Sequence, residues 1–340
     1  MSTVTIKDIA RMAEVSIATV SRTLNGGRGV SPGTRARILE LCYQHGYRTN
    51  LLARGLSASR AGLIGCVISD LDNPLFSQTA LILEQLARQQ GYHVLFCHGR
   101  VEDRDIGQVF DFLIGHRVDG ILLVSSSRQA PVLISSYLSR VPIVLQGALE
   151  RTAGTPAIQS VCVDNYLGGR MAAEYLYSLG HRRIAFMGGR QNNCSHQLRL
   201  KGFTETARQL GMAVRSLPNA HTNSSTVALG YALAKKFFIE DFQETAVFAV
   251  CDTVAMGVMA AAKEFCVSIP QDLSLLGFDN IQYSDLPNIH LATLDHRISQ
   301  VMSAALDRLL SQIGGDPPDR QQPLMIPPVL CRRPSCRALD

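Results

Sequence analysis

Long apolar runs are missing from this 340-residue chain. No stretch approaches the roughly 20 residues needed to span a bilayer. The N-terminus leads from Ser2-Thr3 straight into charged sequence rather than into an apolar signal segment, so a cytoplasmic protein is expected. Nucleotide signatures are missing too: neither G-x-G-x-x-G nor G-K-S/T occurs, which leaves phosphate-cradling chemistry of those types without support. No serine sits in a G-x-S-x-G elbow. His181, His196, His221, His290 and His296 lack metal-ligand spacing. Nine cysteines (Cys42, Cys66, Cys97, Cys162, Cys194, Cys251, Cys266, Cys331, Cys336) are odd in number and mostly embedded in apolar segments, as reduced, buried thiols are. Only Cys331 and Cys336 are close in sequence, and no histidine is near them. An enzyme, a metal centre and a cofactor are therefore not expected.

What is present divides unevenly along the chain. Hydrophobic residues make up 46%, enough for two or three domains with cores of their own. Net charge is +5 and is concentrated at the start. Residues 1–60 hold nine Lys/Arg (Lys7, Arg11, Arg22, Arg28, Arg35, Arg37, Arg48, Arg54, Arg60) against three acids, Asp8, Glu14 and Glu40, and the rest of the chain is close to neutral. A basic head on a neutral body fits a polyanion-binding module attached to something that does not touch the polyanion.

Within that head, Thr5 to Asn25 reads as two short helices with Glu14-Val15 to turn between them. Ile6, Ile9, Ala10 and Ala13 recur at i, i+3, i+4 and i+7 and make one apolar stripe. Ser16 is placed to cap a second helix in which Val20 and Leu24 face the first, with Ala18, Arg22 and Asn25 outward. Such a helix–turn–helix fits a DNA major groove, although an ordinary αα-hairpin shares the pattern. Val30-Ser31-Pro32 opens a third helix, with Ser31 as cap, Ile38, Leu41 and Cys42 as its buried stripe and Gly46 at its end. Residues 50–60 form a joint in which Asn50 can cap a short helix to about Ser57. Gly55 and the short length make that helix too weak to stand alone, so it is expected to order only when docked.

From Gly62 the pattern changes to alternating strands and helices. Strands are expected at Leu63–Ser69, Tyr92–Cys97, Gly120–Val124 and Val141–Leu145, with helices Leu75–Gln90, Asp103–His116 and Ala130–Ser139 between them. A second series follows: helices over 166–179, 196–210, 225–238 and 253–265, and strands over 183–187, 246–250 and 273–277. Alternation of this kind predicts parallel sheets covered by helices, and two such halves place their strand-end loops around one cleft.

The residues T-I-K-D-I-A at 5–10, V-S-x-A-T-V-S-R at 15–22 and L-N at 24–25 closely resemble the LacI/GalR family of bacterial transcription regulators. The resemblance continues through Gly46-Tyr47, Asn50, Ala53-Arg54, Leu56, Asp72-Asn73-Pro74, Val118-Asp119-Gly120, Gly180-His181 and Gly277-Phe278-Asp279-Asn280, and so spans nearly the whole chain. It implies an α/β protein with a helix-turn-helix head (1–49), a hinge helix (50–61) and a two-lobed core similar to periplasmic sugar-binding proteins (62–340). With crossovers near 161–165, 290–296 and 316–324, lobe 1 would hold about 62–161 and 293–322, and lobe 2 about 162–292 and 323–340. Strands around Leu324–Ile326 and Val329–Cys331 would close the chain.

The resemblance also implies roles. Ile17, Ala18 and Arg22 match positions that meet base edges, and Arg22 can offer a bidentate pair to guanine. Ile17 lies at the border of the buried face, so core packing is its alternative. Thr19, Ser21 and Asn25 would bind phosphate. Asn50, Ala53 and Leu56 belong to the hinge, with Leu56 as an apolar wedge in the minor groove. The small apolar pair at 17–18 resembles the galactose-repressor branch, which tends to read near-palindromes with a central CG step. An effector cleft would be walled by Leu75, Phe76, Ser125, Ser126, Asn193, Ser195, Arg199, Cys251, Asp252 and Asp279. Arg199 and Asp279 can bind ring hydroxyls or a polar base edge, or else pair as a structural salt bridge. Gly147 stands where several sugar-responsive members carry Asp or Asn and should leave extra room, and Cys251 stands where Asn is usual. Two hydroxyl partners are thus missing, which argues against a simple monosaccharide among sugar effectors and leaves a larger glycoside, a sugar phosphate or a nucleoside, with a purine-type corepressor as the alternative. A homodimer is expected, paired through the helix around Leu75–Gln90 and elements near 253–265 and 280–286. A transport or other small-molecule binding protein is a rival that the basic head argues against, and a hydrolase is one that the missing nucleophile motif argues against.

Overall fold

The structure, a computed structural model, describes residues 4–24, 27–47, 60–149, 158–218, 226–316 and 323–339. The chain divides into two compact units, Met1–Ala61 and Gly62–Asp340.

Among the described residues, the first unit is built on α1 (Ile6–Met12), α2 (Ile17–Leu24) and α3 (Pro32–Gln44). Each start is fixed by a hydroxyl side chain. Thr5 and Asp8 form a reciprocal capping box on α1, Ser16 Oγ accepts from Thr19 N, and Ser31 Oγ accepts from Thr34 N with Pro32 at the first turn. Glu14 supplies the tight turn between α1 and α2 with φ 55°. Ile9, Ala10, Ala13, Val20, Ile38 and Cys42 meet in one small core. Arg35 ties the chain after α2 to α3 by donating to the carbonyls of Thr23 and Gly27. Gly46, at φ 62°, ends α3, and Tyr47 N then donates to Cys42 O, as a left-handed helix terminator allows.

The described residues of the second unit form two six-stranded sheets. The first combines β1 (Leu63–Ile68), β2 (His93–His98), β3 (Gly120–Val124), β4 (Ile143–Gln146), β5 (Gln159–Val163) and β11 (Leu324–Ile326) in the order β11-β5-β4-β3-β1-β2, all parallel. The second combines β6 (Arg183–Met187), β7 (Ala213–Leu217), β8 (Ala246–Ala249), β9 (Ser274–Asp279), β10 (Ala292–Asp295) and β12 (Val329–Cys331) in the order β12-β10-β9-β8-β6-β7, with β12 antiparallel to β10. Central strands such as β3, GILLV, are buried throughout because helices cover both faces, which is why they read as unbroken apolar runs. The helices are α4 (Pro74–Gln89), α5 (Ile106–Gly115), α6 (Ala130–Ser135), α7 (Asn165–Ser178), α8 (Cys194–Gln209), α9 (Val227–Ile239), α10 (Asp252–Glu264) and α11 (Ile298–Gly314). Among the described residues no helix is long and apolar enough to cross a membrane.

Two expected lobe boundaries are corrected. β10 pairs with β9 in the second sheet, so lobe 1 does not resume at 293. It resumes at α11, whose Val301, Met302, Ala305, Leu306 and Leu309 pack on Ile64, Leu122 and Val144 of the first sheet. β11 pairs with β5 in the first sheet, so lobe 2 does not resume at 323. The chain crosses between lobes at 164, 296–297 and 327–328. Strands β5, β7 and β10 and helix α11 are additions to the expected elements.

Candidate functional site

On α2 the outward face is formed by Ile17, Ala18 and Arg22, all exposed; Ile17 keeps 45% of its surface, so it packs on the helix border rather than in the core. Thr19 and Ser21 are half-buried beside them, and Thr19 Oγ1 shares a hydrogen bond with Ser16 Oγ at 2.9 Å. Asn25, Asn50, Ala53 and Leu56 lie outside the described residues.

In the second unit the strand-end loops of the two lobes enclose a cavity. Leu75 and Phe76 line it from the first turn of α4, where Asn73 caps the helix by accepting from Leu75 N. Ser125 and Ser126 reach it from the end of β3. Across the cleft stand Asn193 and Ser195 at the start of α8, with Arg199 one turn on, then Cys251 after β8 and Asp279 at the end of β9. Free space between these walls comes to about 70 Å³.

Arg199 is the anchor of this wall. It is 3% exposed; Nε donates to Asn165 Oδ1 at 2.8 Å, Nη1 donates to Val250 O at 2.6 Å, and the guanidinium lies 3.5 Å from the centre of the Phe278 ring. Its remaining nitrogen, Nη2, stands 3.6 Å from Asp279 Oδ1. Burial pushes the Arg199 guanidinium down from its ordinary value, and Asp279 opposes that shift. α8 can bring Arg199 this close because α7 and α8 touch through glycines. A Cβ on Gly169 would lie 2.1 Å from Arg199 O, and one on Gly202 would lie 2.1 Å from Tyr166 O.

Asp279 holds backbone φ 114°, a conformation that an L-residue keeps only when its surroundings fix it. Its Oδ2 accepts from Asn73 Nδ2 of the other lobe at 3.5 Å, while Oδ1 is buried without a hydrogen-bond partner. Beside it, His296 is 7% exposed and both ring nitrogens are likewise buried without a partner, Nδ1 lying 3.5 Å from Asp279 Oδ1. His196 differs. Its Nδ1 accepts from Arg190 N at 3.1 Å, and burial, with Arg199 and Arg190 nearby, holds the ring well below its ordinary value, hence neutral.

Two expectations are corrected here. Asp252 does not face the cavity. It is fully buried at the start of α10, accepting from Ile281 N (3.0 Å), Ser284 Oγ (2.7 Å) and Thr293 Oγ1 (2.6 Å), so it clamps loops rather than ligand. Burial and the neighbouring Asp279 push its carboxyl up to about 7 against those three donors. Gly147 leaves no extra room either: a Cβ there would lie 1.9 Å from Ser125 O. The polar group near that point is Gln146, which lines the cavity from β4.

Asn73, Thr79, Gln146, Arg190, His196 and His296 line the cavity without having been assigned to it from sequence. Asn73 was legible as a helix cap before Pro74. His296 had no such signal: a crossover near 290–296 was expected, but β10, which positions the ring, was not.

A two-lobed cavity of this kind, preceded in the chain by a basic helix–turn–helix, is the layout of a DNA-binding regulator that answers to a ligand. Residues 5–50 match the family described as bacterial regulatory proteins, lacI family. Residues 173–336 match a periplasmic binding protein-like domain. Catabolite control protein A of Priestia megaterium is 31% identical over 314 residues, covering 91% of this chain and 92% of that protein. The ribose operon repressor of Escherichia coli is 28% identical over 334 residues, covering 97% and 99%. Among solved structures, the lac repressor dimer bound to operator and the anti-inducer ONPF has a TM-score of 0.86 at 25% identity, covering 99% of this chain and 100% of that one. The chain belongs to the lacI family of bacterial regulatory proteins. It is a DNA-binding transcriptional regulator and not an enzyme.

Proposed function

We propose that the protein is a repressor acting in the cytoplasm, that its head reads a near-palindromic operator, and that the cleft binds a neutral, hydroxyl-rich small molecule of the sugar or glycoside class. The observation that carries the ligand reading is a group of three polar atoms buried at the cavity without hydrogen-bond partners, Asp279 Oδ1 and the two ring nitrogens of His296. A buried polar atom left unmade costs free energy, so a ligand that supplies hydroxyls there gains more than one that does not. Charge in the wall is balanced: Arg190 and Arg199 face Asp70 and Asp279, which favours a neutral molecule over a sugar phosphate. Apolar surface from Leu75, Phe76 and Ile298 suits the C–H face of a ring. A purine or nucleoside is the second reading, because Phe76 can also stack on a base and Arg199 can donate to its edge. The relatives bear on both: they include the ribose operon repressor and a PurR repressor from Glaesserella parasuis, 30% identical over 309 residues.

Ligand binding would change the lobe angle and with it the spacing of two hinge segments in a homodimer, shifting the equilibrium between DNA-bound and free protein. Exposed Leu81 on α4 and exposed Tyr283 and Leu286 after β9 supply apolar surface for pairing two copies. The test is a thermal-shift panel of sugars, glycosides, sugar phosphates, nucleosides and purines. A ligand at about 100 times its Kd adds roughly 2.7 kcal/mol of stability. The proposal requires a hit among neutral sugars or glycosides that Arg199→Ala abolishes. A response confined to purines or nucleosides selects the second reading.

A further inference from the structure

Among the described residues, besides the crossovers and the Asn73–Asp279 hydrogen bond, two short loops join the lobes of the core. In lobe 1, Ser125–Arg128 follows β3; in lobe 2, Asn192–Ser195 leads into α8. Cys194 N donates to Ser126 O at 2.7 Å and Arg128 N donates to Asn192 O at 3.0 Å, making Ser127 and Asn193 an antiparallel β-bridge. Side chains extend it: Ser126 Oγ and Ser195 Oγ are 2.7 Å apart. One carboxylate oxygen, Glu102 Oε1, accepts from Ser127 Oγ at 2.5 Å in its own lobe and from Asn192 Nδ2 at 3.1 Å in the other.

The lobe-1 loop is preorganised for this contact. Ser125 Oγ accepts from Ser127 N, and Ser127 Oγ accepts from Gln129 N, so its shape is set by its own hydroxyls before lobe 2 arrives. The lobe-2 loop is fixed by Asn193 Oδ1, which accepts from His196 N and caps α8. Beside the bridge, Ala148 and Cys162 of lobe 1 and Cys194 and Leu198 of lobe 2 form a small apolar cluster of their own. Free space in the cleft, about 70 Å³, is far below the roughly 300–1,000 Å³ of ordinary ligand pockets, so loading it requires the lobes to part.

We propose that these two loops are a latch: the Ser127–Asn193 bridge, keyed by Glu102, holds the lobes together, and its opening sets the rate and cost of access to the cleft. Two rigid surfaces that bond to each other in one arrangement and part in the other form the kind of two-state element through which a ligand shifts a population. The latch is a property of the chain's own bonds and holds whichever ligand class the cleft takes.

Two variants of the full-length protein test it. Glu102→Ala removes the shared acceptor. Cys194→Pro removes the N–H that reaches Ser126 O and places a ring carbon against that oxygen. Proline is tolerated at the first position of a helix, and Asn193, at φ −107° and ψ 110°, already holds the extended backbone that precedes proline. The readout is peptide-resolved labelling with N-ethylmaleimide. Cys162 is protected by the seam, Cys66 by the interior of lobe 1, and Cys266 is exposed. Losing a hydrogen bond to a charged acceptor should raise the labelling rate of Cys162 roughly tenfold in Glu102→Ala, and at least as much in Cys194→Pro, with Cys66 unchanged. Cys162 rates that match the parent in both variants, or a rise that Cys66 shares, overturn the latch.

Discussion

Gly202→Ala should destabilise the protein even though alanine is the better helix former. The added Cβ would lie 2.1 Å from Tyr166 O, where ordinary contact begins near 3.4 Å, and the obstacle is backbone. α7 and α8 must then separate by roughly 1 Å, because no side chain can rotate away. Overpacking of this kind costs about 1–3 kcal/mol, and alanine returns up to about 1 kcal/mol of helix propensity. A net loss of about 1–2 kcal/mol lowers Tm by roughly 1–3 °C in a chain of 340 residues. Arg199 moves with α8, so ligand stabilisation should fall as well. The control is Gly115→Ala at the end of α5, where nothing lies within 4 Å of the new carbon; it should be neutral or stabilising. Differential scanning calorimetry on both variants decides. If Gly202→Ala melts at or above the parent, or if Gly115→Ala falls as far, close helix approach is not what these glycines provide.

Three further outcomes follow from the same geometry. Asp252, pushed up to about 7 from an ordinary value of about 3.9, takes up a proton on folding across that interval, so its contribution to stability is full below pH ~4 and is lost as pH rises through about 7. Thermal melts of the parent should therefore fall between pH 5 and 8 more steeply than those of Asp252→Asn; equal slopes refute it. Gly147→Asp, at φ 150° with Ser125 O in the way, should cost about 2–4 kcal/mol in a denaturant titration and create no new sugar contact. Gly33→Ala in α3, where nothing lies within 4 Å, should instead stabilise the head by about 0.5–1 kcal/mol, read as slower amide exchange at Ile38.

Much of this was legible before the structure because local chemistry and global fold agree. Thr5, Ser16 and Ser31 cap the three head helices as hydroxyl residues do, and Arg22 falls outward once the apolar stripe is placed. Strands such as LIGCVI and GILLV announce themselves because helices cover both their faces. The misses have physical reasons. β10, ATLD, is four residues long and ends on a charge, so it reads as loop; it becomes a strand only because β9 and β12 flank it. α11 was passed over although Val301, Met302, Ala305, Leu306 and Leu309 carried a clear signal, and the third crossover was misplaced because β11, three residues long, was grouped with lobe 2 although it pairs with β5. Asp252 and Gly147 show a different limit. Neighbouring in sequence to cavity residues Cys251 and Gln146, each points away or is packed against backbone, and residue type alone does not reveal which neighbour faces the ligand.

The measurement closest to the centre of the account is selection of duplexes from a random pool by the full-length protein, followed by fluorescence anisotropy on the winner with parent and Arg22→Ala protein. The expected result is enrichment of a near-palindrome and a loss of about 1–3 kcal/mol, roughly 5–150-fold in Kd, when Arg22 is replaced. The ligand found by thermal shift should also change the parent's affinity for that duplex. A pool that does not enrich, or an Arg22→Ala variant that binds the selected duplex as the parent does, contradicts the account.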